Sequence, residues 1–117
     1  KINWSNKKSL CVVLCSKGYP EKYEKNVEIK DLNKIELNSE DFLFHAGTVE
    51  KDGKFFSVGG RVLNFISLSD EFINARENIN KHLSKLNWTG GFYRKDIGYK
   101  VINKWELSLE ILKVGKY

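Results

Sequence analysis

The sequence predicts an α+β domain: a small, mainly antiparallel, barrel-like sheet carrying one long amphipathic helix. Three observations predict it. Apolar runs of strand length fill the chain as far as Leu68, a hairpin signal stands among them, and one helical repeat follows them. The chain has 117 residues, one domain by the usual size of about 100–200 residues.

Leu10 to Cys15 (LCVVLC) is a continuous apolar run, which reads as a buried strand. Cys11 and Cys15 lie four apart, outside the C-x-x-C spacing of redox and zinc motifs. On a strand they share one side about 13 Å apart, too far for a disulfide. Two reduced, buried thiols are expected. Ser16-Lys17-Gly18-Tyr19-Pro20 then makes a shaped loop. Val27–Ile29 reads as a short strand and Phe42 to Ala46 as a stronger one.

Asp52-Gly53 between two extended runs signals a hairpin. Gly59-Gly60 breaks the pattern, and Arg61 to Leu68 resumes it. Ser69 is placed as helix N-cap, with Asp70 and Glu71 in the first turn. Phe72, Ala75, Ile79, Leu83 and Leu86 recur at helical spacing, so the helix is predicted over 70–86, about five turns. Residues 92–102 read as a loop and a short strand. The tail from Trp105 to Lys113 fits either a helix or a strand.

The net charge is +5, but the lysines are scattered among carboxylates. A nucleic-acid binder would cluster them on one element, so a solvated surface is the better reading. A modest positive field still favours a phosphorylated small molecule. No export signal and no long apolar span is visible. With two reduced thiols, this places the protein in the cytoplasm, and no membrane partner is expected. His45 follows a strand and reads as structural, bonding towards Gly47-Thr48. His82 is read as plain helix surface, and Trp88 and Phe92 as core. No set of ligand residues at metal spacing is seen. The chain begins at Lys1 and contains no methionine, so it reads as a piece of something longer or as a processed product.

Four segments in this order resemble one family: Cys11-Val12-Val13-Leu14 running into Ser16-Lys17-Gly18-Tyr19-Pro20, His45-Ala46-Gly47-Thr48, Gly59-Gly60-Arg61-Val62-Leu63, and Tyr93-Arg94-Lys95-Asp96-Ile97-Gly98. Over residues 2–102 the chain is similar to the C-terminal domain of the phosphoribosylamine–glycine ligases, members of the ATP-grasp group. Cys15, Glu21 and Asn26 depart from the small residues usual there, and Asn64-Phe65-Ile66 is bulkier. Residues 103–117 run past the usual ending and are set apart from the domain at 1–102.

The resemblance implies a small hybrid-motif sheet domain of an enzyme that joins 5-phosphoribosylamine to glycine through a glycyl phosphate, splitting ATP. It also implies that ATP and Mg or Mn belong to an upstream domain, and that this piece holds no cofactor. The piece would wall the substrate site and pack on the rest of the enzyme, and would be inactive alone. Gly59 and Gly60 leave room for a close approach, with amides free for an anion, and Arg61 has the fork geometry for a phosphate. These three and Lys17 are the expected substrate contacts. The alternative for Arg61 is a bulge arginine paired with a structural carboxylate. His45, Thr48, Arg94, Lys95 and Asp96 are expected in structural or interdomain roles, and no catalytic residue is expected. A stand-alone interaction module that kept the fold is the competing reading.

Overall fold

The structure, a computed structural model, describes residues 1–102. The expectations for 103–117 lie outside the described residues. Strand β1 (Lys8–Ser16) pairs antiparallel with β6 (Arg61–Ser69), from Lys8 opposite Ser69 to Leu14 opposite Leu63, before a bulge sets Cys15 opposite Arg61. On its other side β6 takes β3 (Asp41–His45), and the end of β1 takes the short β7 (Gly91–Phe92). These four form one sheet in the order β3-β6-β1-β7. The strands β2 (Val27–Ile29), β5 (Lys54–Ser57) and β4 (Thr48–Lys51) form a second. The predicted α+β class with mainly antiparallel pairing is what the chain adopts.

The hairpin forms at the expected place. Lys51 pairs with Lys54, and Asp52 and Gly53 between them have φ of 53° and 76°. Two consecutive positive φ values suit a two-residue type I′ turn. Asn26 also takes the left-handed region, with φ 61°, which asparagine tolerates better than most residues.

The helix α1 (Phe72–Lys85) is shorter than predicted. Ser69 does not cap it, because it remains the last paired residue of β6, opposite Lys8. Asp70 and Glu71 form the bend instead, and the first turn carries no acid. Residues 92–102 also differ from expectation. The strand there is only Gly91–Phe92, and 99–102 form a helical turn in which Ile102 donates to the Gly98 carbonyl at 2.9 Å.

α1 covers one face of the four-stranded sheet. Leu10, Val12 and Leu14 from β1, Leu63 and Phe65 from β6, and Ala75 and Ile79 from α1 are buried together. Full burial of one such aliphatic or aromatic side chain contributes about 1.5–3 kcal/mol. β1 therefore alternates, with Cys11, Val13 and Cys15 on the opposite face, and the expectation of two buried thiols is wrong. Cys11 is exposed and Cys15 half-buried. Phe92 also lies outside the core, 40% exposed, whereas Trp88 packs against it with Nε1 enclosed and unpartnered.

His82 is a second correction. It is not surface but 6% exposed, its Nε2 donating to Asp41 Oδ2 at 2.6 Å. Ser67 Oγ donates to Asp41 Oδ1 at 2.6 Å, and Asn78 Nδ2 donates to Ser67 Oγ at 3.3 Å. His82 lies on the helical stripe three residues beyond Ile79, so it turns inward and must find a partner. The carboxylate at the head of β3 supplies it.

Candidate functional site

The site is built where β3 turns into β4 and the 59–60 segment enters β6. Here the two sheets meet backbone to backbone. A Cβ placed on Gly47 would stand 2.7 Å from both the Arg61 carbonyl oxygen and Gly59 Cα. Gly47 N donates to the Arg61 carbonyl at 2.9 Å, and Gly59 N donates to the Gly47 carbonyl at 3.2 Å. Close approach is thus one reason for these glycines. The Gly59 amide is not free for an anion, as the sequence reading had it, because Gly47 takes it. Ser16 ties β1 to the same corner: its Oγ donates to the Gly59 carbonyl at 2.7 Å and its N to the Gly60 carbonyl at 2.7 Å.

Gly60 serves a side chain. A Cβ there would fall 2.2 Å from Tyr19 Cδ2, so the Tyr19 ring lies across the space that Gly60 leaves. Gly60→Ala is expected to destabilise the domain by about 1–3 kcal/mol through overpacking. Thermal melts of Gly60→Ala, Tyr19→Ala and the double variant check it. The double variant should recover part of the loss, and strict additivity would show that the ring is not the obstacle.

Beside this corner lies a cavity of about 460 Å³ lined by Val13, Tyr19, Ala46, Gly60, Arg61 and Asn64. A second, of about 320 Å³, adjoins it, and Val13, Tyr19 and Arg61 line both. Arg61 is exposed and sits between them. Its charge opposes the effect of burial, which pushes the Cys15 thiol above its ordinary value. The Cys11 thiol, on an exposed residue, is raised too, by partial desolvation of its sulfur alone.

The other expected site residues divide. Lys17 does not join Arg61. It lines a separate cavity of about 650 Å³ with Gly18, Lys22, Tyr23 and Glu24 on one side and Thr89 and Gly90 on the other. Its backbone N donates to the Gly90 carbonyl at 2.8 Å. His45 Nδ1 lies 2.9 Å from Thr48 Oγ1, and its ring packs on Phe55 at 4.9 Å between centroids. Arg94 and Asp96 pair with each other at 2.8 Å on the surface, and the neighbouring Lys95 carbonyl accepts from Arg76. That pairing raises the Arg94 pKa and lowers that of Asp96. Tyr19, Ala46 and Asn64 line the cavity too; the loop that holds Tyr19 is expected from sequence in a structural or interface role, with a ligand loop as the alternative, and Ala46 and Asn64 have no role assigned there. Tyr19 stands inside the Ser16–Pro20 motif, so a signal was there.

Among the described residues no group of three or more His, Cys, Asp and Glu side chains comes together to hold a metal ion. No helix among the described residues is long and apolar enough to cross a membrane.

Comparison with known proteins decides the family. The family model described as "Phosphoribosylglycinamide synthetase, C domain" matches residues 9–100. The chain belongs to this C-domain family. All four motif segments fall within that match. A phosphoribosylamine–glycine ligase of Caldanaerobacter subterraneus is 43% identical over 97 residues, which cover 83% of this chain and 22% of that protein. A trifunctional purine biosynthetic protein of Gallus gallus is 42% identical over 102 residues, 86% of this chain and 10% of that one. A crystal structure of phosphoribosylamine–glycine ligase from Thermotoga maritima matches with a TM-score of 0.63 at 37% identity, covering 77% of this chain and 22% of that chain. The chain thus spans about a fifth of the length of the bacterial ligases it matches, and the C-domain region of the match contains the whole candidate site.

Proposed function

We propose that this C domain works within a phosphoribosylamine–glycine ligase, which joins 5-phosphoribosylamine to glycine in purine biosynthesis with ATP split to ADP and phosphate. The reading is supported by the match to ligases of that name across most of this chain. The domain's part is to wall the amine substrate's site and to pack on the remainder of the enzyme. ATP and its Mg or Mn ion are held upstream in the ATP-grasp region, and the enzyme is cytoplasmic.

The observation that carries the site assignment is Arg61, exposed between two adjoining cavities beside Gly60. A guanidinium there donates two parallel hydrogen bonds to a phosphate, which a lysine cannot reproduce. Gly59 acts by letting β6 enter close to Gly47, and Gly60 by seating Tyr19. Lys17, from its own cavity, adds positive charge on the approach.

Arg61→Ala in the complete ligase should raise KM for phosphoribosylamine roughly tenfold, the loss of about 1.5 kcal/mol in a charged hydrogen bond. KM for ATP should stay within about twofold, since that site lies elsewhere. Steady-state kinetics with each substrate varied in turn check this. An unchanged KM for phosphoribosylamine would remove Arg61 from the substrate site.

A further inference from the structure

The cavity that Lys17 lines stands apart from those at Arg61, and two segments of the chain build it. Lys17 N donates to the Gly90 carbonyl at 2.8 Å, which ties the loop after β1 to the residue before β7. Gly18 then folds that loop back on itself. Its φ is 98°, and a Cβ there would collide with the Lys22 carbonyl oxygen, so the turn forms only without a side chain. Glu21 N donates to the Gly18 carbonyl at 2.9 Å and closes it. The turn brings Lys17 and Lys22 to one cavity. Both residues are exposed, and among the described residues neither takes part in an ion pair.

The opposite wall supplies an independent sign. A Cβ on Gly90 would stand 2.8 Å from Val27 Cγ1 and 3.2 Å from Trp88 Nε1. Gly90 and Val27 line the cavity, so the indole N–H lies directly behind its wall. That donor is enclosed and has no partner among the described residues, a costly arrangement for a buried N–H. At the rim stand the hydroxyls of Tyr23 and Thr89, and Glu24 is the one acid lining the cavity among the described residues.

This set of groups selects a ligand chemistry. Two ammonium groups act as point charges on a phosphate, and hydroxyls add donors to its oxygens. A carboxylate at the same rim accepts from hydroxyl groups and disfavours a bare polyanion. The volume, about 650 Å³, is that of a small-molecule site, and a lone phosphate would leave most of it unfilled. We propose that this cavity is a second ligand site, for a phosphate monoester of a polyol. The phosphate sits between Lys17 and Lys22, and a hydroxyl of the polyol donates to Glu24. The site needs neither Arg61 nor the remainder of the ligase.

The Trp88 indole N–H is the reporter, identified in heteronuclear NMR spectra by its loss in Trp88→Phe. In the 117-residue chain, at constant ionic strength, glycerol 3-phosphate should shift this signal and saturate. Inorganic phosphate should bind roughly tenfold more weakly, because it makes no bond to Glu24. Lys17→Gln combined with Lys22→Gln should weaken glycerol 3-phosphate binding roughly tenfold or more. Glu24→Ala should bring its affinity down to that of inorganic phosphate. A shift that never saturates, or one that the paired lysine variant keeps in full, would overturn the site. Equal affinity for the two probes in the parent chain would overturn the polyol assignment. Arg61→Ala should leave the titration unchanged, and binding lost there but kept in the lysine variant would move the phosphate to Arg61 and overturn the proposal. The Arg61→Ala kinetics remain a separate readout. An unchanged KM beside a saturable Trp88 shift removes Arg61 from the substrate site and leaves this second site standing, and a raised KM with no Trp88 shift does the reverse.

Discussion

Asp41→Ala should destabilise the domain by about 2–5 kcal/mol, because two buried donors lose the carboxylate that accepts from them. Asp41 is 4% exposed and accepts from both His82 and Ser67 at 2.6 Å. Truncating it leaves an imidazole N–H and a hydroxyl enclosed without their acceptor, and each such loss costs about 1–3 kcal/mol. Urea unfolding monitored by circular dichroism measures the change. His82→Leu should also destabilise, by exposing the carboxylate to an apolar neighbour. In the Asp41→Leu, His82→Leu double variant the loss should be smaller than the sum of the single variants, because replacing both partners with apolar groups leaves neither enclosed without the other. Additive losses would show that the two residues do not act as a unit.

Phe65→Ala should cost about 3–5 kcal/mol, the range for a large buried aromatic reduced to a methyl group. Phe65 has no exposed surface and stands at the middle of β6, paired with Leu43 on one side and Val12 on the other. Its ring stacks on His82 with centroids 6.1 Å apart. Removing it opens a cavity and also takes away the surface that orients the imidazole towards Asp41. The loss should therefore be coupled to that of His82→Leu. Phe44→Ala on the outer face is the control, and should lie within about 0.5 kcal/mol of the parent. A Phe65→Ala effect as small as that of Phe44→Ala would mean that the core does not centre on β6.

Most of the elements could be read from the sequence because each announces itself locally. Asp52-Gly53 carries its own turn, and Phe72, Ala75 and Ile79 carry the helical period. Two errors share a different cause. LCVVLC is apolar at every position, so its period is hidden, and nothing local says that only Leu10, Val12 and Leu14 meet the helix. His82 sits on the stripe beside Leu83, and the choice between inside and outside depends on Asp41, far away in the chain. The helix start was misplaced because Ser69 suits both a cap and a strand end, and its pairing with Lys8 settles it. At the candidate site, Gly59-Gly60-Arg61 was legible as a cluster. Its use of Gly47 and Tyr19 was not, since both contacts join segments distant in sequence. Lys17 stands next to Ser16, which reaches this corner, yet alternation along the strand end sends its side chain to another cavity.

The pairing of β1 with β6 also has a kinetic consequence. Lys8 finds Ser69 and Leu14 finds Leu63, so β1 has its main partner in a strand made after β2, β3, β4 and β5. The β4–β5 hairpin and the β6–α1 corner can close as soon as they are made, while β1 must wait. Contacts between distant parts of a chain form slowly because loop closure comes before any gain. LCVVLC is then an unpaired, wholly apolar segment for the interval before β6 emerges, when self-association competes with folding. Slower synthesis between β1 and β6 lengthens that interval, and the yield of folded domain should depend on it.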